Sequence, residues 1–497
     1  MFRATGCDAP VTTGNYIDGV ARPAEGGRTY PLYNPARPGE LVGHAALSSA
    51  ADVDAAVRAA HAAYPAWSRT SYAERAAKLN EVADYLEAGQ ENVDQRARLF
   101  CREHGKPIKE THLEVSRLGD RFRTTAAYAD RLARDEIEHG PPFDTIITRQ
   151  PRGVATLIVP WNWPLSILGA KLPQALMAGN TVVVKPSELS VLAPSMTIQR
   201  IAEMFPPGVI NIVTGDAAEI GDSLVGHPLV RFVNFTGSVR IGKHVMKVAA
   251  DQLTPVTLEL GGNDPAIVCA DARLDEKAFM NIYLGTFMSS GQICMALKRL
   301  YVHRSRYDEV VEGLSAVCNR MVVGDGLLPE TNMGPVNNAK QLKTVTDMIG
   351  QARASGAEVR ECGQVLDEAL YRNGFFQKPA LVFNPDQSLD IVAEEQFGPA
   401  LPIMPFDTED EAIRRANETR YGLCSSVWTE DRGRALVISR QLEAGYTYLN
   451  NHGPTAQDFR GPFGGFKDSG FGRNLGYEGV VQFQGHHSIS SVSGWLL

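Results

Sequence analysis

Three stretches of the sequence hold side chains suited to covalent catalysis. Cys294 lies in SSGQICMA, residues 289–296, where Gly291 permits a sharp turn that can aim the thiol and its own N–H at one spot. A thiolate is the strongest common side-chain nucleophile, and an adjacent backbone N–H can hold an oxyanion. The ordinary alternative is an inert buried thiol, the better reading of the cysteines at 7, 101, 269, 318, 362 and 424. Glu259, in LELGG (258–262), ends an apolar strand. Desolvation there raises a carboxyl pKa toward that of a general base working near neutrality; the alternative is a structural carboxylate satisfied by backbone amides. Asn162, in PWNWP (160–164), offers an uncharged amide donor for a developing oxyanion, or else a helix cap. Lys185 and Glu188, in KPSE (185–188), can hydrogen-bond ribose hydroxyls, or form a solvated ion pair. Finally, VNFTGSVRIGKHV (233–245) sets Gly237, Gly242 and Lys243 at the spacing G-x-x-x-x-G-K. A triphosphate loop needs Ser or Thr next, to hold magnesium, and His244 stands there instead.

The elements that must position these residues follow from hydrophobic periodicity. Residues 51–64 and 71–92 are Ala-, Glu- and Arg-rich with helical spacing, and helical character continues to about residue 135. From Val154 onward short apolar runs alternate with helical stretches: VATLIV, TVVVK, VINIV, VRFVNFT and VTLEL are the strands. This is the pattern of successive βαβ units and a parallel sheet covered on both faces. Asn162, Lys185, Gly237 and Glu259 all fall just at or beyond strand ends, where open α/β sheets bind ligands. A second α/β run includes strands at 299–303, 399–406, 424–428 and 446–450, with helices at 337–354, 407–418 and 431–443. Segments 140–150 and 482–494 read as strands that pair with each other or with another subunit.

Composition narrows the class. The chain has 497 residues, 44% hydrophobic and 21% charged, as in ordinary globular proteins. A net charge of −8 argues against nucleic acid or an anionic membrane as partner. Seven cysteines without a C-x-x-C pair or zinc-ligand spacing predict no disulfide framework and no metal site. The start lacks an apolar signal core, and the most apolar run, 154–170, is broken by two prolines and an asparagine. A cytoplasmic protein without a membrane span is expected.

Together, PWNWP, KPSE, FTGS (235–238), LELGG, GQIC (291–294), EEQFGP (394–399) and PFGGFKDSG (462–470) resemble the aldehyde dehydrogenase superfamily, in order and separation, over nearly the whole chain. The resemblance implies an α/β architecture: a Rossmann-like parallel-sheet cofactor domain (1–128 and 152–261), a second α/β catalytic domain (262–475), and a small β oligomerisation element (129–151 and 476–497). It implies NAD(P)-dependent oxidation of an aldehyde to the acid, with Cys294 as nucleophile, Asn162 and the Cys294 N–H at the oxyanion, and Glu259 activating the hydrolytic water. Lys171 matches a family lysine of the proton relay. For the cofactor, Lys185 and Glu188 would meet the adenosine ribose, Gly237 and Ser238 the pyrophosphate, and Glu395 the nicotinamide ribose. Phe397 would pack beside the ring, with Ile158, Pro160, Trp161, Gly221 and Phe235 along the path. Glu188 favours NAD, since a carboxylate repels the 2′-phosphate of NADP, although Lys185 could accept that phosphate. A homodimer or homotetramer is implied.

One position departs from the pattern. Many hydrolytic members carry a second Glu after SGFGR, and this chain has Asn474, so Glu259 must serve alone, through water. Acyl transfer to coenzyme A is the variant chemistry, and the presence of Glu259 argues against it. The competing classes are a phosphotransferase using residues 237–243 and a catalytically silent structural protein. The substrate tunnel is expected around Trp163, Ile167, Ala170, 286–293 and 451–459, and its lining suggests a mid-sized hydrophobic or aromatic aldehyde. Arg460 reads either as a surface residue or as a partner for a carboxylated aldehyde.

Overall fold

The computed structural model describes residues 9–495; Cys7 and both chain ends of the expected segments lie outside them. Two parallel sheets dominate. The first has eight strands, with Val256–Glu259, Val230–Thr236, Val154–Ile158, Thr181–Lys185 and Ile210–Ile212 as its parallel centre. Val182, Val183 and Val184 are wholly buried, as a strand covered by helices on both faces requires. Antiparallel strands close its edges: Gly470–Phe471 beside Val256–Glu259, and Asn15–Ile17 with Val20–Arg22 beside Ile210–Ile212.

The chain passes from Glu259 almost directly into Asp264–Val268, a central strand of the seven-stranded second sheet. Its neighbours are Leu297–His303 and Cys424–Trp428, followed outward by Ala400–Phe406 and Tyr446–Leu449. The carboxyl edge of the first sheet therefore faces the amino ends of strands in the second. A separate antiparallel sheet joins Glu136–Gly140, Phe143–Pro151 and Gln484–Val492. The two expected strand segments thus pair with each other within one chain.

Some elements escape the sequence pattern. The strands between Val11 and Ala46 are short or polar, with Val20–Arg22 exposed at every position and Arg37–Ala46 interrupted by Pro38, Gly39 and Gly43. The apolar stretch 164–179, whose spacing is helical, forms two helices, Pro164–Gly169 and Leu172–Met177. Pro173 supplies no N–H to the preceding turn, so the helix breaks there. The break leaves Lys171, at φ −133° and ψ −53°, as the hinge residue facing the first sheet's edge.

Candidate active site

Strand register builds the site. Ile158 pairs with Lys185 and Phe235, and Thr236 pairs with Glu259, so four strands end in one row. Asn162 sits on the turn after Val154–Ile158 and donates through Nδ2 to the Gln292 carbonyl at 2.9 Å. Gln292 is itself fixed: its Nε2 donates to the Ser289 carbonyl and its Oε1 accepts from the Asn337 N–H, both at 2.9 Å. An amide nitrogen carries two hydrogens, so Asn162 keeps one for a ligand.

Cys294 follows an unusual turn. Ser289, Ser290 and Gly291 adopt φ of 52°, 57° and 73° in succession, after the helix Glu276–Phe287. At Gly291 a Cβ would lie 2.3 Å from the Gly398 carbonyl oxygen, so only glycine fits. Two serines in the left-handed region cost about 1–3 kcal/mol each. Hydrogen bonds of similar size offset this: the buried Glu110 carboxylate accepts from Ser289 N–H at 2.9 Å and Oγ at 3.0 Å, and Ser290 Oγ donates to the Gly334 carbonyl at 2.8 Å. On the other side Lys298 Nζ donates to the Ile293 and Cys294 carbonyls at 2.8 and 2.6 Å, and lies 3.3 Å from Glu395. Burial pushes the Cys294 thiol up to about 12, outweighing the Lys298 charge.

Glu259 is buried, and neither carboxylate oxygen has a hydrogen-bond partner. The reading of a carboxylate satisfied by backbone amides is thereby excluded. Burial pushes it up to about 8, against the charges of Lys171 and Arg473. Gly464 makes the room it occupies: a Cβ there would lie 2.9 Å from Oε1. Lys171 is wholly buried, and burial lowers it to about 7 against the pull of Glu259. Its Nζ donates to Asn234 Oδ1, and Asn234 Nδ2 donates to Asn474 Oδ1 at 2.8 Å. Asn474 therefore ends a buried amide chain where a second carboxylate was the family pattern.

Cys294, Asn162, Glu259, Thr236 and Asn474 line a single cleft enclosing about 840 Å³ of empty space, part of it open to solvent. Trp163, Ile167 and Ala170 line it, as expected, with Pro454, Gln457 and Phe459 from the expected loop. Of the run 286–293, only Ile293 does so. Arg460 is outside the cleft and exposed, its guanidinium held by Asp458 at 2.7 Å.

The remaining expected residues flank the same strand ends. Buried Lys185 donates weakly to its neighbour's carbonyl at 3.3 Å and to half-exposed Glu188 at 3.5 Å; burial lowers its pKa, and Glu188 opposes that. Gly237 N–H is engaged by the Glu259 carbonyl at 3.0 Å, and Ser238 Oγ caps the helix Val239–Ala250 through Ile241 N–H at 3.4 Å. Phe235 is buried against Gly237, and Gly221 faces open space. Glu395 accepts from Gly262 N–H at 3.1 Å; burial raises its pKa against the Lys298 charge. Trp161 meets the Phe397 ring edge-on at 5.5 Å, and Ile158 and Pro160 are half-buried beside it. Lys243 lies along the helix, exposed and paired with Asp468 at 3.1 Å, while His244 pairs with Asp222 at 2.7 Å. A triphosphate grip would need both at the helix start.

Four contributors are not singled out by motif: Glu110, Asn234, Lys298 and Arg121. Lys298 had a signal, since Lys298–Arg299 are two cations inside an otherwise apolar strand. The other three look like ordinary helix or strand polar residues until distant segments meet them.

Comparison with known proteins agrees with this geometry. The aldehyde dehydrogenase family model matches residues 22–489. The chain is 38% identical to the 3-succinoylsemialdehyde-pyridine dehydrogenase of a Pseudomonas species, covering 97% of this chain and 98% of that protein. It is 36% identical to human retinal dehydrogenase 2, over 94% and 89% of the two chains. Its fold matches betaine aldehyde dehydrogenase from Staphylococcus aureus, solved with NAD+, at a TM-score of 0.90 and 31% identity, covering 98% and 95%. This chain belongs to the aldehyde dehydrogenase family. It is accordingly an oxidoreductase acting on aldehydes.

Proposed function

We propose that the protein oxidises an aldehyde to its carboxylic acid with NAD as acceptor, through a thioester on Cys294. The observation that carries this reading is the convergence of Cys294, Asn162 and an unpartnered Glu259 on one cleft. The neutral thiol needs a proton acceptor as it attacks the carbonyl carbon, and Glu259 is the facing carboxylate with no hydrogen bond to give up. The free amide hydrogen of Asn162 and the Cys294 N–H hold the resulting oxyanion. After oxidation to the thioester, Glu259 takes a proton from water, the water attacks, and the acid leaves with the thiol restored. Lys171 lies beside Glu259 and is held by Asn234, which Asn474 holds in turn; amides cannot accept the proton, so it leaves through water.

The residues fit a dinucleotide. Lys185 has spare donors, Gly221 leaves open space, and the helix starting at Val239 offers N–H groups at the strand ends. Lys185, Glu188, Gly237, Ser238, Glu395 and Phe397 would hold it, with Ile158, Pro160, Trp161, Gly221 and Phe235 along its path. When bound, NAD supplies the hydride acceptor at the site. Glu188 disfavours a 2′-phosphate, which supports NAD over NADP. The first sheet then serves the cofactor (1–128 and 152–261), the second carries the nucleophile (262–475), and segments 129–151 and 476–497 bridge subunits of a homodimer or homotetramer. Free cysteines throughout the described chain suit the cytoplasm, and no described helix is long and apolar enough to cross a membrane.

The test is an aldehyde panel followed by NADH absorbance, run with NAD and then NADP. Wild type should turn over with a higher kcat/KM for NAD, and Cys294→Ala should lose at least roughly 10⁴-fold while still quenching tryptophan fluorescence on binding NAD. Substantial oxidation by the alanine variant would refute the nucleophile, and a preference for NADP would refute the role of Glu188.

A further inference from the structure

Arg121 sits on the helix Leu118–Ala126 with its stem pressed against the helix that follows Asn162; a Cβ at Gly169 would lie 2.8 Å from its Cγ. The residue is only 8% exposed, yet it lines the cleft that holds Cys294. Its guanidinium makes no hydrogen bond or ion pair with any described residue, and Nη1 is a buried donor without a partner. Arg299, another buried arginine, is by contrast fully engaged. Arg299 donates to three carbonyls, of Asn263, Arg415 and Ala416, at 2.9, 3.2 and 2.8 Å.

Among the described residues no carboxylate bonds Arg121. Glu114 is committed, accepting from Lys106 at 2.6 Å and from the N–H groups of Leu165 and Ser166 at 2.9 and 3.0 Å. Asp120 is exposed and makes no ion pair with Arg121, and the cleft's own carboxylate is Glu259, needed at the reacting carbon. Arg117, exposed at the same cleft wall, adds a second cation. The Phe459 ring lies 3.3 Å from the guanidinium carbon and covers one face, which leaves the forked N–H edges for a ligand. Burial together with the Arg117 charge pushes the guanidinium down to about 9, against the opposing charges of Asp120 and Glu114.

We propose that Arg121 is a carboxylate-binding subsite of the cleft, so that the aldehyde oxidised at Cys294 carries an acid group remote from its carbonyl. This rests on the aldehyde-oxidising reading above. It changes the substrate expected from the apolar lining alone, and it assigns to Arg121 the anion contact that the sequence offered to Arg460. A carboxylate accepts two parallel bonds from the fork, while a methyl end in the same place leaves a buried charge unpaired. The site therefore selects by penalty as well as by attraction.

The test compares straight-chain ω-oxo acids of four to seven carbons with n-alkanals of matched length, in wild type, Arg121→Met and Arg121→Lys. Wild type should favour the oxo acid at its best length by on the order of a hundredfold in kcat/KM. In Arg121→Met that ratio should collapse toward unity, chiefly through KM of the oxo acids, and Arg121→Lys should restore part of it. Wild type oxidising alkanals as well as oxo acids would overturn the subsite and leave the dehydrogenase reading intact. So would an unchanged ratio in a folded Arg121→Met. If neither series is oxidised, the dehydrogenase reading fails, and titration calorimetry with glutarate then decides the subsite. Heat with wild type that is lost in the variants supports it; none with wild type overturns it. Should Arg121→Met not fold, Arg121→Lys at the wild-type melting temperature carries the same comparison.

Discussion

Glu259 is held as an acid with nothing to hold on to. Both oxygens lack partners and burial keeps the group protonated until pH passes about 8. The sign follows: a general base works only when deprotonated, so kcat should rise as pH climbs through about 8 and level above it. Glu259→Gln should remove that limb and lower steady-state turnover on the order of a hundredfold, while a first-turnover burst of NADH persists. Stopped-flow absorbance across the pH range reads both, and an unchanged pH profile in the variant would refute the assignment. The nucleophile, the amide and this carboxylate were legible because each lies in a short motif, Asn162 and Glu259 at strand ends and Cys294 after a glycine turn. Arg121 and Asn234 were not. What makes them matter is the absence of a partner for one and the Lys171–Asn474 bridge for the other, and neither property is local in sequence.

At the scale of elements, the turn 289–291 shows how a strained segment is kept. Glu110, on the helix Ile108–Ser116, accepts two bonds from Ser289 and so fixes the approach to Cys294 from a different part of the chain. Glu110→Ala should destabilise the protein by about 2–4 kcal/mol by orphaning those donors and removing the neighbour of buried Lys106. It should also depress kcat, because the turn no longer sets the thiol. Urea unfolding measures the first effect and saturating-substrate rates the second; a stable variant with normal kcat would count against this account. The βαβ strands were readable because buried parallel strands are continuous apolar runs. The N-terminal strands and Asp264–Val268 were not: the former are short and polar, and the latter starts with Asp-Pro, which reads as a turn. The break at Lys171 was visible in principle, since Pro173 forbids a continuous helix.

At the scale of the molecule, the three-stranded sheet stands apart with an apolar row. Ile137, Ile146 and Ile489 share one register across its strands, with Ile137 46% and Ile489 43% exposed in the single chain, and Trp495 73%. Such a row on an exposed sheet favours a second copy as its cover. A double variant, Ile137→Asp with Ile489→Asp, should lower the mass measured by light scattering from that of a dimer or tetramer, leaving each chain folded. An assembly of unchanged mass would place the subunit contact elsewhere.

That sheet also has a consequence for how the protein is made. Gln150 pairs with Gly485, so the central strand leaves the ribosome more than three hundred residues before its partner does. At bacterial or eukaryotic elongation rates, on the order of 5–20 residues per second, the strand Phe143–Pro151 waits tens of seconds with one ladder edge open. Gly470–Phe471, which closes the first sheet beside Glu259, arrives equally late. These late strands complete both the three-stranded sheet and the strand bordering the base, and a chain lacking them has neither.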